Sequence, residues 1–176
     1  YITLEPCCFY GRTPPCVEAI VEAGVKEVYI SILDPNPKVN GNGIAYLKNA
    51  GINVLLGEQS DIATKLIQGY KKYIMKGMPY ITVKYAMSLD GKIASKKMDS
   101  KWISNEESRS YVQKMRNSTD AIMVGGNTVR QDNPSLTVRD NAGEPLSDQP
   151  LRVIVDGYGI DSESNVMNQP GDVVIA

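Results

Sequence analysis

The sequence has no histidine among its 176 residues. That excludes an imidazole general base, a histidine metal ligand or a histidine-centred triad from these residues. Cysteine is scarce, with three residues of which Cys7 and Cys8 are adjacent. So few clustered thiols cannot make a secreted disulfide scaffold, and a reducing, cytoplasmic setting is expected. Neither sign of charge dominates: 19 Lys and Arg stand against 20 Asp and Glu. No global basic field recruits nucleic acid or a membrane surface, so neither is expected as a partner. No signal peptide is read in these residues, and no apolar run approaches the ~18 residues that would suggest a spanning helix. Internal repeats and low-complexity tracts are also missing.

What is present reads as an alternation of strands and helices. Val17, Ile20, Val21 and Val25 fall at helical spacing after Pro14-Pro15, with Gly24 as the stop. Val28, Ile30 and Ile32 alternate as a strand, and Asp34-Pro35-Asn36-Pro37 is a turn by composition. Gly43 to Ala50 is predicted as a helix, Ile52 to Leu56 as a strand, and Asp61 to Met75 as one amphipathic helix. Lys76-Gly77-Met78-Pro79 breaks this register. Beyond it, Tyr80 to Ala86 is predicted as a strand rich in β-branched and aromatic residues. Ser104 to Asn117 reads as a helix opened by a capping sequence at Ser104 with Glu107 three positions on. Ala121 to Val124 and Arg152 to Asp156 are apolar strands, the first running into Gly125-Gly126. The expected fold is α/β with largely parallel pairing, in two pieces, 1–77 and 78–176. Tyr1 to Leu4 and Asp172 to Ala176 read as strands that the chain ends cut through, so a fragment of a longer polypeptide is expected.

Chemistry concentrates first in Thr3-Leu4-Glu5-Pro6-Cys7 and Arg12-Thr13-Pro14-Pro15-Cys16. Free cysteines are commonly small buried core residues. Here a proline stiffens the loop before each thiol and aims it at a helix N-terminus, where the dipole favours a thiolate. Two such thiolates can hold zinc, but a catalytic zinc site needs a third protein ligand and an open position. Nucleobase-type deaminases use one His and two Cys, or three Cys, with a non-ligand glutamate moving protons.

The Pro-Cys-x8-Cys spacing resembles the deaminase half of the RibD family of bifunctional riboflavin-biosynthesis deaminase/reductases. The resemblance implies Cys7 and Cys16 as zinc ligands, with the third ligand and the catalytic Glu on a His-x-Glu upstream of Tyr1. It also implies Arg12, Asp34 and Asn36 as substrate-binding positions, although turn chemistry alone accounts for Asn36 equally well. Family members often carry Ser-His after the first cysteine; Cys8-Phe9 stands here, and Cys8 is either a spectator or an alternative ligand.

The second piece resembles the reductase half of the same family, a relative of dihydrofolate reductase. The matching blocks are Ser88-Leu89-Asp90-Gly91-Lys92-Ile93-Ala94 with Trp102-Ile103-Ser104, Asp120 to Val129, and Asp132 to Arg139. The resemblance implies a nicotinamide cofactor, NADPH, at Ala86, Trp102, Thr128 and Asp132, and substrate at Ser100, Arg116, Leu136 and Arg139. Taken alone, Gly125-Gly126 is an ordinary tight turn and Arg116 a cation at a helix C-terminus. The fold so implied is the C-terminal part of a cytidine-deaminase-like αβα domain followed by the N-terminal part of a dihydrofolate-reductase-like α/β domain.

The implied reactions are hydrolytic deamination of a phosphorylated diaminopyrimidinone and then reduction of its ribosyl side chain to ribityl, by a homo-oligomer. This segment alone is not expected to deaminate. Two alternatives remain open at this level: a reductase with a degenerate deaminase piece, and a non-catalytic module binding zinc through three cysteines.

Overall fold

The computed structural model describes residues 1–140 and 142–176. It divides into two units, Tyr1–Val83 and Lys84–Ala176.

In the first unit β1 (Ile2–Leu4), β2 (Glu27–Ile32) and β3 (Asn53–Leu56) form a parallel sheet in the order β1-β2-β3. Parallel pairing needs a crossover, which α1 (Cys16–Glu22) and α2 (Asn42–Asn49) supply. Val28 and Ile30 of β2 close against Val17 of α1 and Leu47 of α2, with Ile52 completing the core. The long helix expected over Asp61 to Met75 is instead two, α3 (Ser60–Leu66) and α4 (Gln68–Lys76). They part at Ile67, whose φ of −98° and ψ of 12° leave the α region.

In the second unit α5 (Glu106–Asn117) precedes β4 (Ala121–Gly125), α6 (Gly126–Asp132), β5 (Leu151–Val155), a single 3₁₀ turn at Asn165–Met167 and β6 (Val173–Ile175). The sheet is again parallel, in the order β4-β5-β6. Its core gathers Ile154, Val129, Val166 and Leu136. Two sequence expectations need correction here. Tyr80 to Ala86 is not a strand: it joins no ladder, and Ile81, Val83 and Tyr85 are exposed. Strand propensity measures fit to a pleated, half-buried surface, and no neighbouring strand supplies one among the described residues. The cap of α5 is Asn105 rather than Ser104; its side chain accepts from Ser108 N at 2.9 Å.

No helix among the described residues is long and apolar enough to cross a membrane.

Candidate functional site

The first cluster is built where β1 runs into α1. Val17 N donates to the Cys7 carbonyl at 3.2 Å, and Cys16 N donates to Cys7 Sγ at 3.3 Å. Cys7 thus takes up two of the N–H groups that the start of α1 leaves without intrahelical partners. The neighbouring Cys7 thiol, then burial, pushes the Cys16 thiol up from its ordinary pKa. Two sulfurs this close cannot both ionise cheaply without a cation between them. As a donor set they fit half of a zinc site. Cys8 does not join them: its thiol donates weakly to the Lys38 carbonyl at 3.7 Å. Among the described residues no group of three His, Cys, Asp or Glu side chains is arranged to hold a metal, which removes support from a three-cysteine cage.

The loop after β2 carries the other residues expected at a pyrimidine site. Asp34 is buried, accepts from Asn36 N at 2.8 Å, and accepts from the Tyr70 hydroxyl at 2.9 Å. Burial, and then the Asp34 carboxylate, push the Tyr70 phenol up to about 12. Asn36 Oδ1 accepts from Lys38 N at 3.0 Å, an Asx turn as composition suggested. Arg12 is exposed.

Sequence reasoning missed the residue that joins these loops. Glu5 is 2% exposed and its carboxylate accepts from Asp34 N, Gly41 N and Ile44 N at 2.9–3.2 Å. A Cβ on Gly43 would collide with the Pro6 carbonyl and crowd Glu5, so only glycine allows this approach. No signal in the sequence separated Glu5 from the motif around it. Tyr70 was likewise unmarked, one aromatic among ten tyrosines.

The second unit holds two groupings. Ser100 Oγ donates to Asp132 Oδ1 at 3.4 Å, uniting an expected substrate position with an expected cofactor position. Ala86 lines an open cleft of about 270 Å³ with Lys84, Ser104 and Ser108. Trp102 is 71% exposed, with the Arg109 guanidinium 4.5 Å from its ring centroid. Thr128 lies exposed in α6, just past Gly126. An added Cβ on Gly126 would overlap Asp156, which is ion-paired to Arg130 at 2.7 Å.

The other grouping is centred on buried Thr137. Arg116 Nη1 donates to the Thr137 carbonyl at 3.3 Å, and Arg139 Nε donates to Thr137 Oγ1 at 3.0 Å. Leu136, beside them, is buried with a left-handed φ of 57°. Burial, then the neighbouring Arg139 charge, pull the Arg116 pKa down. The single ion pair among the described residues is Arg130–Asp156, so no carboxylate bridges to either guanidinium there.

A family model described as the RibD C-terminal domain matches residues 79–176. The riboflavin biosynthesis protein RibD of Aquifex aeolicus (strain VF5) is 46% identical over 156 residues, covering 89% of this chain and 43% of that protein. The protein of the same name from Chlamydia muridarum (strain MoPn / Nigg) is 42% identical over 178 residues, 100% of this chain and 48% of that protein. Among solved structures, the diaminohydroxyphosphoribosylaminopyrimidine deaminase/5-amino-6-(5-phosphoribosylamino)uracil reductase of Thermotoga maritima aligns with a TM-score of 0.88 at 41% identity, covering 99% of this chain and 49% of that one. RibD of Acinetobacter baumannii aligns with a TM-score of 0.85 at 43% identity, covering 98% and 49%. The chain therefore spans less than half the length of these relatives.

Proposed function

This chain belongs to the RibD family, and on that premise we propose that it contributes part of a pyrimidine deaminase site and part of an NADPH-dependent reductase site to riboflavin biosynthesis. The α/β fold is that of the family's solved structures, which supports carrying both sites over residue by residue.

The observation that carries the reading is the arginine pair on Thr137. Two cations beside one another, one partly desolvated, raise each other's free energy unless an anion joins them. A phosphate monoester suits the place because each planar guanidinium can donate two bonds at once. Arg116 and Arg139 bind the phosphate of a phosphoribosyl pyrimidine, with Leu136 and Ser100 beside the sugar. Isothermal titration of this chain with ribose 5-phosphate and with ribose tests it. Phosphate-dependent binding should weaken about tenfold or more in Arg116→Gln and in Arg139→Gln, the loss expected when a charged hydrogen-bond partner is removed. Equal affinity of the wild-type chain for ribose and its phosphate would sink the assignment.

NADPH, when bound, supplies the reducing equivalent, and the protein's part is orientation and a dry surface. Ala86, Trp102, Thr128 and Asp132 line its place, with Asp132 fixing Ser100 through their hydrogen bond.

In the first unit Cys7 and Cys16 are the residues that would hold zinc, and Arg12, Asp34 and Asn36 the ones that meet the pyrimidine. What zinc supplies when bound is acidification of water toward neutrality. Asp34 is held ready as an acceptor by Tyr70 and Asn36, its place fixed before any ligand arrives. Titration of the chain with Co²⁺ should give a thiolate charge-transfer absorption that is lost in Cys7→Ser and in Cys16→Ser but kept in Cys8→Ser. Full intensity in Cys16→Ser would reject Cys16 as a ligand and shift the role to Cys8.

A further inference from the structure

The loop that brings Thr137 and Arg139 up to Arg116 of α5 is held by a side chain to which no role has been given. Gln149 uses every polar atom of its amide on backbone: Oε1 accepts from Val138 N at 2.8 Å, and Nε2 donates to the Val138 carbonyl at 3.0 Å and to the Leu146 carbonyl at 2.7 Å. One orientation of the amide satisfies all three bonds. The flipped amide would face N–H against N–H and oxygen against two carbonyls. Gln149 thereby pairs with Val138 as a neighbouring strand would, although residues 136–138 belong to no strand.

Val138 is the hinge of the arginine pair. It is 2% exposed and lies between Thr137, which accepts from both guanidinium groups, and Arg139, whose own N–H donates to Gln113 Oε1 at 3.2 Å. On its other side Leu136 holds a left-handed φ that a branched side chain adopts only when its surroundings impose it. The approach of Gln149 is itself arranged, since a Cβ on Gly171 would come within 2.7 Å of Gln149 Cβ. Gln149 and Arg116 also line the same open cleft of about 480 Å³.

We propose that Gln149 is a positioning residue for phosphate recognition: its amide fixes Val138, and through it sets the separation and direction of Arg116 and Arg139. This rests on reading those two arginines as the phosphate site. Gln149 touches no ligand in this role, because its amide is spent on backbone. Leucine there would keep the bulk and remove all three bonds. Glutamate would keep the bond from Val138 N and set a carboxylate oxygen against two carbonyls.

The test is a double-mutant cycle on ribose 5-phosphate affinity in this chain, with thermal unfolding followed for every variant. Gln149→Leu should weaken binding about tenfold when Arg139 is present, and less than about threefold in the Arg139→Gln background, because coupled residues are not additive. A merely structural role predicts the same loss in both backgrounds. Where Gln149→Leu does not fold, Gln149→Glu serves the same cycle with the Val138 N–H still paired. Full affinity in a folded Gln149 variant, or equal losses in the two backgrounds, would overturn the proposal. A wild-type chain that binds ribose and its phosphate alike would defeat the phosphate reading instead, and the positioning role with it.

Discussion

Glu5→Gln should unfold the first unit more than ~10 °C below the wild type, a shift that corresponds to about 2–3 kcal/mol for a unit of this size. Glu5 is buried and offers both carboxylate oxygens to Asp34 N, Gly41 N and Ile44 N. Hydrogen bonds to a charged acceptor contribute about 1.5–3 kcal/mol each, and a donor left buried without a partner costs about 1–3 kcal/mol. Glutamine keeps one acceptor oxygen but turns its NH₂ toward N–H groups with nothing to accept from them. Gly41 is the N-cap of α2 and has a left-handed φ of 95°, so its amide has no ready alternative partner. The loss should extend past stability. Pro6 and Cys7 follow Glu5 directly, and Asp34 hangs on it through the backbone, so the thiol pair and the Asp34 loop should both loosen. Hydrogen exchange is the decisive measurement: Gly41 and Ile44 amides should lose protection while those of β5 keep theirs. Unchanged protection at Gly41 and Ile44 would show that glutamine keeps both amides bonded, and would sink the expectation.

That dependence explains why part of the site was legible in sequence and part was not. Cys7 and Cys16 could be marked on paper because each thiol follows proline and Cys16 opens a helix, which are local signals, while the resemblance paired them. The Asp34-Pro35-Asn36-Pro37 turn was legible for the same reason, since Asx bonding reaches only two residues ahead. Glu5 finds its partners 29 to 39 residues away, and nothing near it in the sequence marks that. The meeting of Arg116 and Arg139 on Thr137 is likewise tertiary; only the resemblance pointed to both. Tyr80 to Ala86 failed in the opposite direction. Its composition was right for a strand, but a strand exists only as a pair, and propensity carries no information about the partner. Ile67 interrupts a helix whose amphipathic period continues across it, so periodicity alone joined α3 to α4.

Arg152 is the other residue whose weight the sequence concealed, and Arg152→Met should destabilise the second unit by about 2–4 kcal/mol, the range for breaking a buried hydrogen-bond network. It reads as the charged start of an apolar strand, yet it is fully buried on central β5, between Ile122 of β4 and Val173 of β6. Its Nη2 donates to the Gln169 carbonyl at 3.0 Å and the Gly171 carbonyl at 2.6 Å, and its Nη1 to the Ser135 carbonyl at 3.4 Å. Burial pulls its pKa down, only partly opposed by Asp172. Two terms compete on substitution. Methionine fills most of the volume and removes a desolvated charge, which by itself can be neutral or stabilising. It also strands three carbonyls that no methionine can satisfy, at about 1–3 kcal/mol for each one that stays buried. The second term should win because the carbonyls belong to backbone that cannot be exchanged with the side chain. Arg152→Lys should fall between, its ammonium reaching fewer of the three. Trp102, the single tryptophan, lies in this unit, so urea unfolding followed by its fluorescence reports the second unit alone. Stability equal to wild type in Arg152→Met would mean that the cost of the buried charge had matched its three bonds. Arg152 would then be serving the geometry of Ser135 and the loop behind it, the same loop that carries Thr137 and Arg139 to Arg116.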